Sequence, residues 1–227
     1  DIIDLYLLSK EMKVELATSA LHNGFQFHKD DNYLYKRKKL AYKVEELIMQ
    51  MLNSWDIKTW FRAYLNLGLI KKILGQDRLH RCTQGTDNVF IDPWGDVYAC
   101  NVRNDLLMGN LNDHSFDVIY NSAKANDIRK EVFNCAQNCW MVSSAKTAVR
   151  SSINPKLPKL NVLKWVVVNK IRTMLSKKIN FNNYIDYDDI LKETETTKRT
   201  SFLNNKFKKT VQGDTSYYKQ KGPYYNR

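Results

Sequence analysis

The sequence lacks any run of about 18 apolar residues, the length that a helix needs to cross a bilayer. Its longest apolar runs, such as residues 165–168, are far shorter, so no transmembrane helix is predicted. A signal peptide is also missing, because the chain opens Asp-Ile-Ile-Asp without a basic and then an apolar region. With only four cysteines in 227 residues, the chain is not a disulfide-dense secreted scaffold. We therefore expect a cytoplasmic protein with reduced thiols, and the missing initiator methionine indicates a fragment.

Excess charge is absent from the first 140 residues, which contain 18 Lys/Arg and 18 Asp/Glu. The net charge of +12 comes from residues 141–227, which contain 18 Lys/Arg and six Asp/Glu. Because the globular part is neutral, the high pI does not indicate a nucleic-acid-binding domain. We do not expect nucleic acid as a partner, and we interpret the basic, aliphatic-poor end of the chain as a disordered tail.

The first residues predict half of an α/β repeat. Apolar residues at helical spacing predict a helix over 2–12, and the alternation in 13–20 predicts a strand. His22, Asn23 and His28 follow in a polar loop. Since sites gather just past the carboxyl ends of such strands, His22 and Asn23 are candidate substrate-binding residues. An ordinary polar loop is the simpler interpretation.

Longer helices are predicted over 35–53 and 57–74, each with apolar residues on one face. Asp56 is a good N-cap for the second helix, and Gly75 suits the position after its end. A third amphipathic helix is predicted over 160–175, flanked by lysine and arginine. Such a helix can lie on an anionic membrane, but we favour its packing on a neighbouring domain.

All four cysteines, Cys82, Cys100, Cys135 and Cys139, lie in one stretch of the chain. Proline and glycine in Asp92-Pro-Trp-Gly predict a tight turn between two antiparallel strands, which brings Cys82 and Cys100 towards each other. A helix predicted over 122–133 precedes the C-x3-C pair, whose thiolates would be one helical turn apart. The pattern predicts a four-thiolate cage.

Three interpretations of this cage compete. Free cysteines are often buried for packing alone, but the hairpin and the C-x3-C pair argue against four unrelated residues. Zinc accepts four thiolates, although the 17 residues between Cys82 and Cys100 do not form the usual knuckle. A [4Fe–4S] cluster also takes four thiolates and tolerates wide spacing. Spacing does not decide between zinc and iron–sulfur.

Several linked motifs resemble a known family. Residues 91–100 are Ile-Asp-Pro-Trp-Gly-Asp-Val-Tyr-Ala-Cys, residues 108–111 are Met-Gly-Asn-Leu, and residues 134–140 hold a cysteine pair closed by tryptophan. Together with Cys82, these motifs and their order resemble the SPASM/twitch domains, which are C-terminal extensions of radical SAM enzymes. Linked motifs over about 60 residues are far more specific than one cysteine pair.

The resemblance implies one auxiliary [4Fe–4S] cluster on Cys82, Cys100, Cys135 and Cys139. Full SPASM domains have seven cysteines and two clusters, so this chain is similar to a one-cluster, twitch-like version. The complete enzyme would use S-adenosyl-L-methionine and a second [4Fe–4S] cluster, both in an N-terminal part, to form a 5′-deoxyadenosyl radical. That radical would abstract hydrogen from an unidentified substrate (peptide, sugar or small molecule). A reducing partner such as ferredoxin or flavodoxin is implied.

One departure from the family limits this expectation. Radical SAM enzymes hold their SAM-cleaving cluster on C-x3-C-x2-C, and the position that would complete this motif after Cys139 is Val142. Only 81 residues precede Cys82, whereas a complete barrel needs roughly 200. The chain is therefore expected to be a C-terminal portion that is inactive alone.

The expected fold class is α/β (α+β), in four parts. Residues 1–75 would be the last α/β elements of a partial radical SAM barrel with linking helices. Residues 76–150 would be a mostly helical SPASM/twitch-like [4Fe–4S] domain with a two-stranded β-hairpin. A helical extension over 151–193 and a basic tail over 194–227 would follow. The competing function is a non-enzymatic four-cysteine zinc module with a basic tail for nucleic-acid or protein binding.

Overall fold

A computed structural model of the chain describes residues 1–19, 38–103, 105–135, 137, 139–151 and 158–187. The described residues fall into two compact units. The first contains those of 1–21, 33–83 and 138–192, and the second contains those of 84–137. His22, Asn23, His28 and the predicted tail over 194–227 lie outside the described residues, so the expectations for them stay predictions.

Two long helices form the centre of the first unit. They are α2 (Lys38–Asn53) and α3 (Ile57–Ile73), which pack against each other. The Asp56 side chain accepts hydrogen bonds from the backbone N–H groups at the start of α3, and Gly75 follows its end with φ of 75°. Both helices, the cap and the terminating glycine are thus confirmed in the described residues.

A short helix, α1 (Ile2–Glu11), precedes them and confirms the helix predicted over 2–12. The strand predicted over 13–20 is wrong for the described residues 13–19, which contain no strand. A strand needs a neighbouring strand to accept and donate its backbone hydrogen bonds. Here the Leu16 carbonyl instead accepts from Nη1 of Arg62, at 3.0 Å, so the segment is bonded to α3.

The remaining elements of the first unit are helical. They are α6 (Val142–Ser151), α7 (Pro158–Met174) and a 3₁₀ helix (Phe181–Asn183). The helix α7 confirms the prediction over 160–175 and packs against α2 and α3. The apolar side chains that fill this core are contributed by α2, α3 and α7, among them Val44, Leu47, Ile48, Met51, Leu67, Ile70, Ile73, Trp165 and Val166.

The second unit contains a small sheet and two helices. In chain order these are β1 (Phe90–Ile91), β2 (Asp96–Tyr98), β3 (Leu107–Asn110), α4 (Phe116–Tyr120) and α5 (Ala123–Phe133). The sheet is antiparallel, in the order β1-β2-β3, with Ile91 opposite Val97 and Val97 opposite Gly109. The hairpin is confirmed, but the sheet has three strands rather than two, because β3 pairs with the other edge of β2.

The turn of the hairpin is stabilised by its own aspartate. The Asp92 carboxylate accepts hydrogen bonds from the backbone N–H groups of Trp94 and Asp96, both at 2.9 Å. Gly95 has φ of 85°, a conformation that favours glycine. This geometry places the end of β2, and the cysteine after it, in a defined position.

The fold is mixed and rich in helix, and its sheet is small and antiparallel. No strand occurs among the described residues of 1–75, so the partial barrel expected there is not confirmed. No described helix has both the length and the apolar character needed to cross a membrane. The domain boundaries predicted at 75, 150 and 193 stay predictions.

Candidate metal centre

Cys82 follows a loop that is fixed to α3. The Tyr64 hydroxyl on α3 and Nε2 of His80 share a hydrogen bond of 2.8 Å. Burial lowers the pKa of His80 and raises the pKa of Tyr64 to about 12, so both side chains are neutral near pH 7. Earlier in the same loop, the side-chain amide of Gln76 donates to the Asp186 carbonyl. The segment carrying Cys82 is therefore positioned by side chains of the first unit.

Cys139 is held on the same helix through its neighbour. Nε1 of Trp140 donates to the Leu65 carbonyl at 2.7 Å, and Trp140 itself is buried. The indole lies so close to α3 that a Cβ on Gly68 would be 2.0 Å from Cζ2 of Trp140. Only glycine leaves room for this ring. The packing of Trp140 on α3 therefore determines the position of the preceding residue, Cys139.

Lys72 on α3 interacts electrostatically with Cys139. Burial lowers the pKa of Lys72 on α3, the negative charge of the Cys139 thiolate acts in the opposite direction, and Arg78 lowers it further. The ammonium group of Lys72 therefore interacts favourably with a thiolate at Cys139. A cationic neighbour favours the thiolate form, which is the form that binds metals.

Cys100 lies in the second unit, directly after β2. Ala99 is fully buried, and its N–H donates to the Leu106 carbonyl at 2.9 Å. The N–H of Val102 donates to Sγ of Cys100 at 3.4 Å. Hydrogen bonds to the sulfur are one of the means by which a protein tunes an iron–sulfur cluster, so this donor suits a ligating thiolate.

Arg103 connects the segment of Cys100 to the helix that precedes Cys135. It is buried, and its guanidinium donates to the carboxylates of Asp105 and Glu131, the latter on α5. Burial acts to lower the pKa of Arg103, but the hydrogen bonds and charges of the two carboxylates outweigh it and raise the pKa. The N–H of Cys135 then donates to the Val132 carbonyl at 3.1 Å, at the end of α5.

A second arginine fixes α5 to its surroundings. Nε of Arg129 donates to the Gly85 carbonyl at 2.8 Å, and its guanidinium lies 4.1 Å from the ring centre of Tyr120. Gly85 has φ of 81°, and a Cβ there would meet the Ala99 side chain at 2.8 Å. The residue before Cys100 and the helix before Cys135 thus share one packed region of the second unit.

The four predicted ligands divide equally between the two units. Cys82 and Cys139 belong to the first unit, and Cys100 and Cys135 to the second. Among the described residues, no three His, Cys, Asp or Glu side chains are grouped in a way that could hold a metal ion. That all four bind one metal group stays a prediction. The helical turn expected between Cys135 and Cys139 is wrong, since residues 135, 137 and 139 are not helical.

The donor set itself fits an iron–sulfur cluster. All four cysteines are described, each is partly exposed, and none forms a disulfide. Four thiolates are the ligand set of a [4Fe–4S] cluster. The buried Oγ1 of Thr83, next to Cys82, has no hydrogen-bond partner among the described residues. A buried hydroxyl without a partner is costly, and a cluster sulfur would supply an acceptor there.

Sequence reasoning missed the side chains that position the cysteines. Arg103 and Glu131 are 28 residues apart, and no local periodicity links them. The contact between Gly68 and Trp140 is equally non-local. The glycine inside a predicted helix was the one available signal, because glycine in a helix interior is unfavourable without a packing reason.

Comparison with known proteins supports the same segment. Residues 82–140 match the family model of the SPASM iron–sulfur cluster-binding domain. The matched segment starts at Cys82 and ends at Trp140, so it contains all four cysteines. No curated protein and no solved structure matches the chain.

Proposed function

We propose that this chain is the C-terminal part of a radical SAM enzyme, in which Cys82, Cys100, Cys135 and Cys139 hold one auxiliary [4Fe–4S] cluster. The observation that carries the proposal is the SPASM match over residues 82–140, which contains all four cysteines. The N–H donor at Sγ of Cys100 and the unpartnered hydroxyl of Thr83 support it.

A bound [4Fe–4S] cluster supplies one-electron transfer. The residues around the cysteines position the thiolates. Trp140, the residue after Cys139, is fixed to α3 by its hydrogen bond to the Leu65 carbonyl, and Lys72 offers a positive charge to the Cys139 thiolate. Arg103 keeps the Cys100 segment on α5. Because the protein would supply all four ligands, the role of the cluster would be electron transfer, redox buffering or structural support.

The initiating chemistry belongs to a part that this chain does not contain. Val142 stands where C-x3-C-x2-C would need its third cysteine, so S-adenosyl-L-methionine and its [4Fe–4S] cluster would bind to an N-terminal barrel. His22 and Asn23, which lie outside the described residues, remain the candidate substrate-binding residues. The substrate is a peptide, sugar or small molecule. The enzyme would work in the cytoplasm with a ferredoxin or flavodoxin as reductant.

The proposal is tested by the metal content of the full chain purified without oxygen. We expect a brown protein with broad absorption at roughly 400 nm and about four irons and four sulfides per chain. Each Cys→Ser variant should lose most of this iron. His114→Ala is the matched control, because His114 is an exposed histidine of the same segment that we do not place in the ligand set, and this variant should retain full iron.

Two outcomes would contradict the proposal in different ways. Stoichiometric zinc in a colourless protein would favour the four-cysteine zinc module instead. Full iron in any one Cys→Ser variant would remove that cysteine from the ligand set. The upstream coding sequence tests the catalytic half, since a radical SAM enzyme requires C-x3-C-x2-C there.

A further inference from the structure

A partly open cavity lies within the first unit, and one of its lining residues, Trp140, directly follows Cys139. It has a volume of about 660 Å³ and is bordered by α3, α6, the beginning of α7 and residues 15–18. None of the four cysteines lines it. Small-molecule sites have volumes of about 300–1,000 Å³, so the cavity has the size of a ligand site.

One face of α3 forms the first wall. Lys58, Phe61, Arg62, Leu65 and Leu69 line the cavity, and their spacing of three and four residues places them along one side of the helix. The two cations lie in the first turns of α3, and the leucines lie further along. The wall is therefore charged at one end and apolar for the rest of its length.

The opposite wall is apolar. Val142, Ala145 and Val149 line the cavity from α6, again at helical spacing, together with Trp140 and Val162. Trp140, Ala145 and Val162 are buried. These side chains offer no hydrogen-bonding group except the indole N–H, which donates to the Leu65 carbonyl. A ligand body placed between the two walls must be apolar.

The polar side chains inside the cavity are already bonded to one another. Oγ1 of Thr18 donates to Oδ1 of Asn66 at 2.7 Å, and Nδ2 of Asn66 donates to the Arg62 carbonyl at 3.0 Å. A polar ligand body would have to compete with these bonds, whereas an apolar body would leave them intact. The cavity interior thus selects for apolar surface.

The charged side chains that line the cavity favour an anion. Among the described residues that line it, three are cations (Lys58, Arg62 and Lys146) and one is a carboxylate, Glu15, which pairs with Arg62. Lys58 and Lys146 are exposed, and neither forms an ion pair with a described residue. Two cations therefore remain for a negatively charged group, which provides charge complementarity as well as an apolar interior.

We propose that this cavity binds a small amphipathic carboxylate, with its apolar body between α3 and α6 and its anionic head at Lys58 and Lys146. A fatty acid has this chemistry. The site goes beyond the proposed cluster function, since the described residues that line it lie in the first unit and none of them is a cysteine.

The full chain is titrated by calorimetry with octanoate, decanoate and dodecanoate, each below its micelle concentration. We expect one site per chain and an affinity that rises about fourfold per added methylene, as burial of each methylene in an apolar cavity requires. Dodecanol, which has the same body without the charge, should bind more weakly. Absence of saturable binding, or affinity independent of chain length, would overturn the proposal.

The head-group site is tested with the double variant Lys58→Gln, Lys146→Gln. Both positions are exposed, so folding should be unaffected. Dodecanoate affinity should fall about fivefold to twentyfold, because each lysine contributes a partly solvated charge contact. Dodecanol affinity should not change. Lys177→Gln, an exposed lysine that does not line the cavity, is the matched control and should bind like the parent chain.

The cavity is tested with Ala145→Phe, which fills space between α6 and α3. Binding of both dodecanoate and dodecanol should be lost while the circular dichroism spectrum is retained. Unchanged dodecanoate affinity in the folded variant would place the site elsewhere and overturn the proposal. If Ala145→Phe does not fold, unchanged affinity in the lysine double variant still refutes it. The same titration on protein without iron separates this proposal from the cluster, because binding should persist there.

Discussion

Trp140 links the position of Cys139 to the packing of α3. The indole donates to the Leu65 carbonyl and lies over Gly68, where a Cβ would be 2.0 Å from Cζ2. Alanine normally stabilises a helix by about 1 kcal/mol relative to glycine. Here overpacking, at about 1–3 kcal/mol, and the weakened indole hydrogen bond, at about 1 kcal/mol, oppose that gain. The steric effect should be the larger.

We therefore predict that Gly68→Ala lowers the free energy of unfolding by about 1–3 kcal/mol and reduces the iron content, since Cys139 moves with Trp140. Urea unfolding followed by circular dichroism measures the first effect. In a Trp140→Leu background the ring atoms are gone, and Gly68→Ala should become neutral or stabilising. Equal stability of Gly68→Ala and the parent chain would show that the Trp140 ring leaves room for a Cβ at position 68.

The carboxyl group of Glu45 on α2 is partly exposed, yet its pKa is raised. Burial, and then the charge of Glu46, raise the pKa of Glu45 from 4.5 to about 7. The Tyr187 hydroxyl donates to this carboxyl. Because the folded protein binds the proton more tightly than the unfolded chain does, the group's favourable contribution is complete below pH 4.5 and is lost as the pH rises to about 7.

Glu45→Gln should remove this loss, because the amide oxygen still accepts from Tyr187 but never ionises. We expect equal stability below pH 4.5, and above pH 7 a variant more stable by about 0.5–1 kcal/mol, a range reduced for solvent screening. Urea unfolding across this pH range provides the measurement. Glu11→Gln, which removes an exposed carboxyl on α1, is the control for the loss of one surface carboxylate. A constant difference at all pH values would contradict the assignment.

At the scale of elements, Arg103 joins the segment after β2 to α5. Its guanidinium is buried between Asp105 and Glu131. Replacing it with methionine keeps the apolar stem but leaves Asp105 without its cation. Since Glu131 is about half exposed, we expect Arg103→Met to lose about 1–3 kcal/mol of stability rather than the larger value typical of a fully buried pair.

The measurement is urea unfolding combined with iron content, because Cys100 and Cys135 depend on this connection. Lys130→Gln is the matched control on α5, where the ion pair with Asp127 is exposed on both sides. It should change stability by less than about 0.5 kcal/mol. If Arg103→Met and Lys130→Gln behave alike, Arg103 does not position the cysteines.

The helices and strands that could be predicted from the sequence are those with local signals. The helices α2 and α3 were predictable because their apolar faces, the Asp56 cap and Gly75 are local signals. The turn before β2 was predictable from its proline and glycine. The strand β3 was missed and a strand over 13–20 was wrongly predicted, because a strand depends on a partner strand that its own residues do not reveal. Arg103 was missed for the same reason, since Glu131 is remote in sequence.

At the scale of the whole molecule, the ligand set we propose takes two cysteines from each unit. Cys82 and Cys139 depend on α3, whereas Cys100 and Cys135 depend on Arg103 and α5. A group that binds only the folded protein adds its binding free energy to stability. If four thiolates share one cluster, its removal must therefore destabilise the ligand segments of both units.

Hydrogen exchange before and after anaerobic removal of iron by a chelator measures this coupling. We expect exchange to become about tenfold faster or more, both in residues 76–83 of the first unit and in residues 96–103 of the second. Faster exchange in one unit alone would mean that the metal group binds only that unit's cysteines. Cys135→Ser separates the two cases further. Its cysteine belongs to the second unit, yet with a shared cluster the variant should show the faster exchange in residues 76–83 as well, because a three-thiolate site loses affinity for every ligand at once.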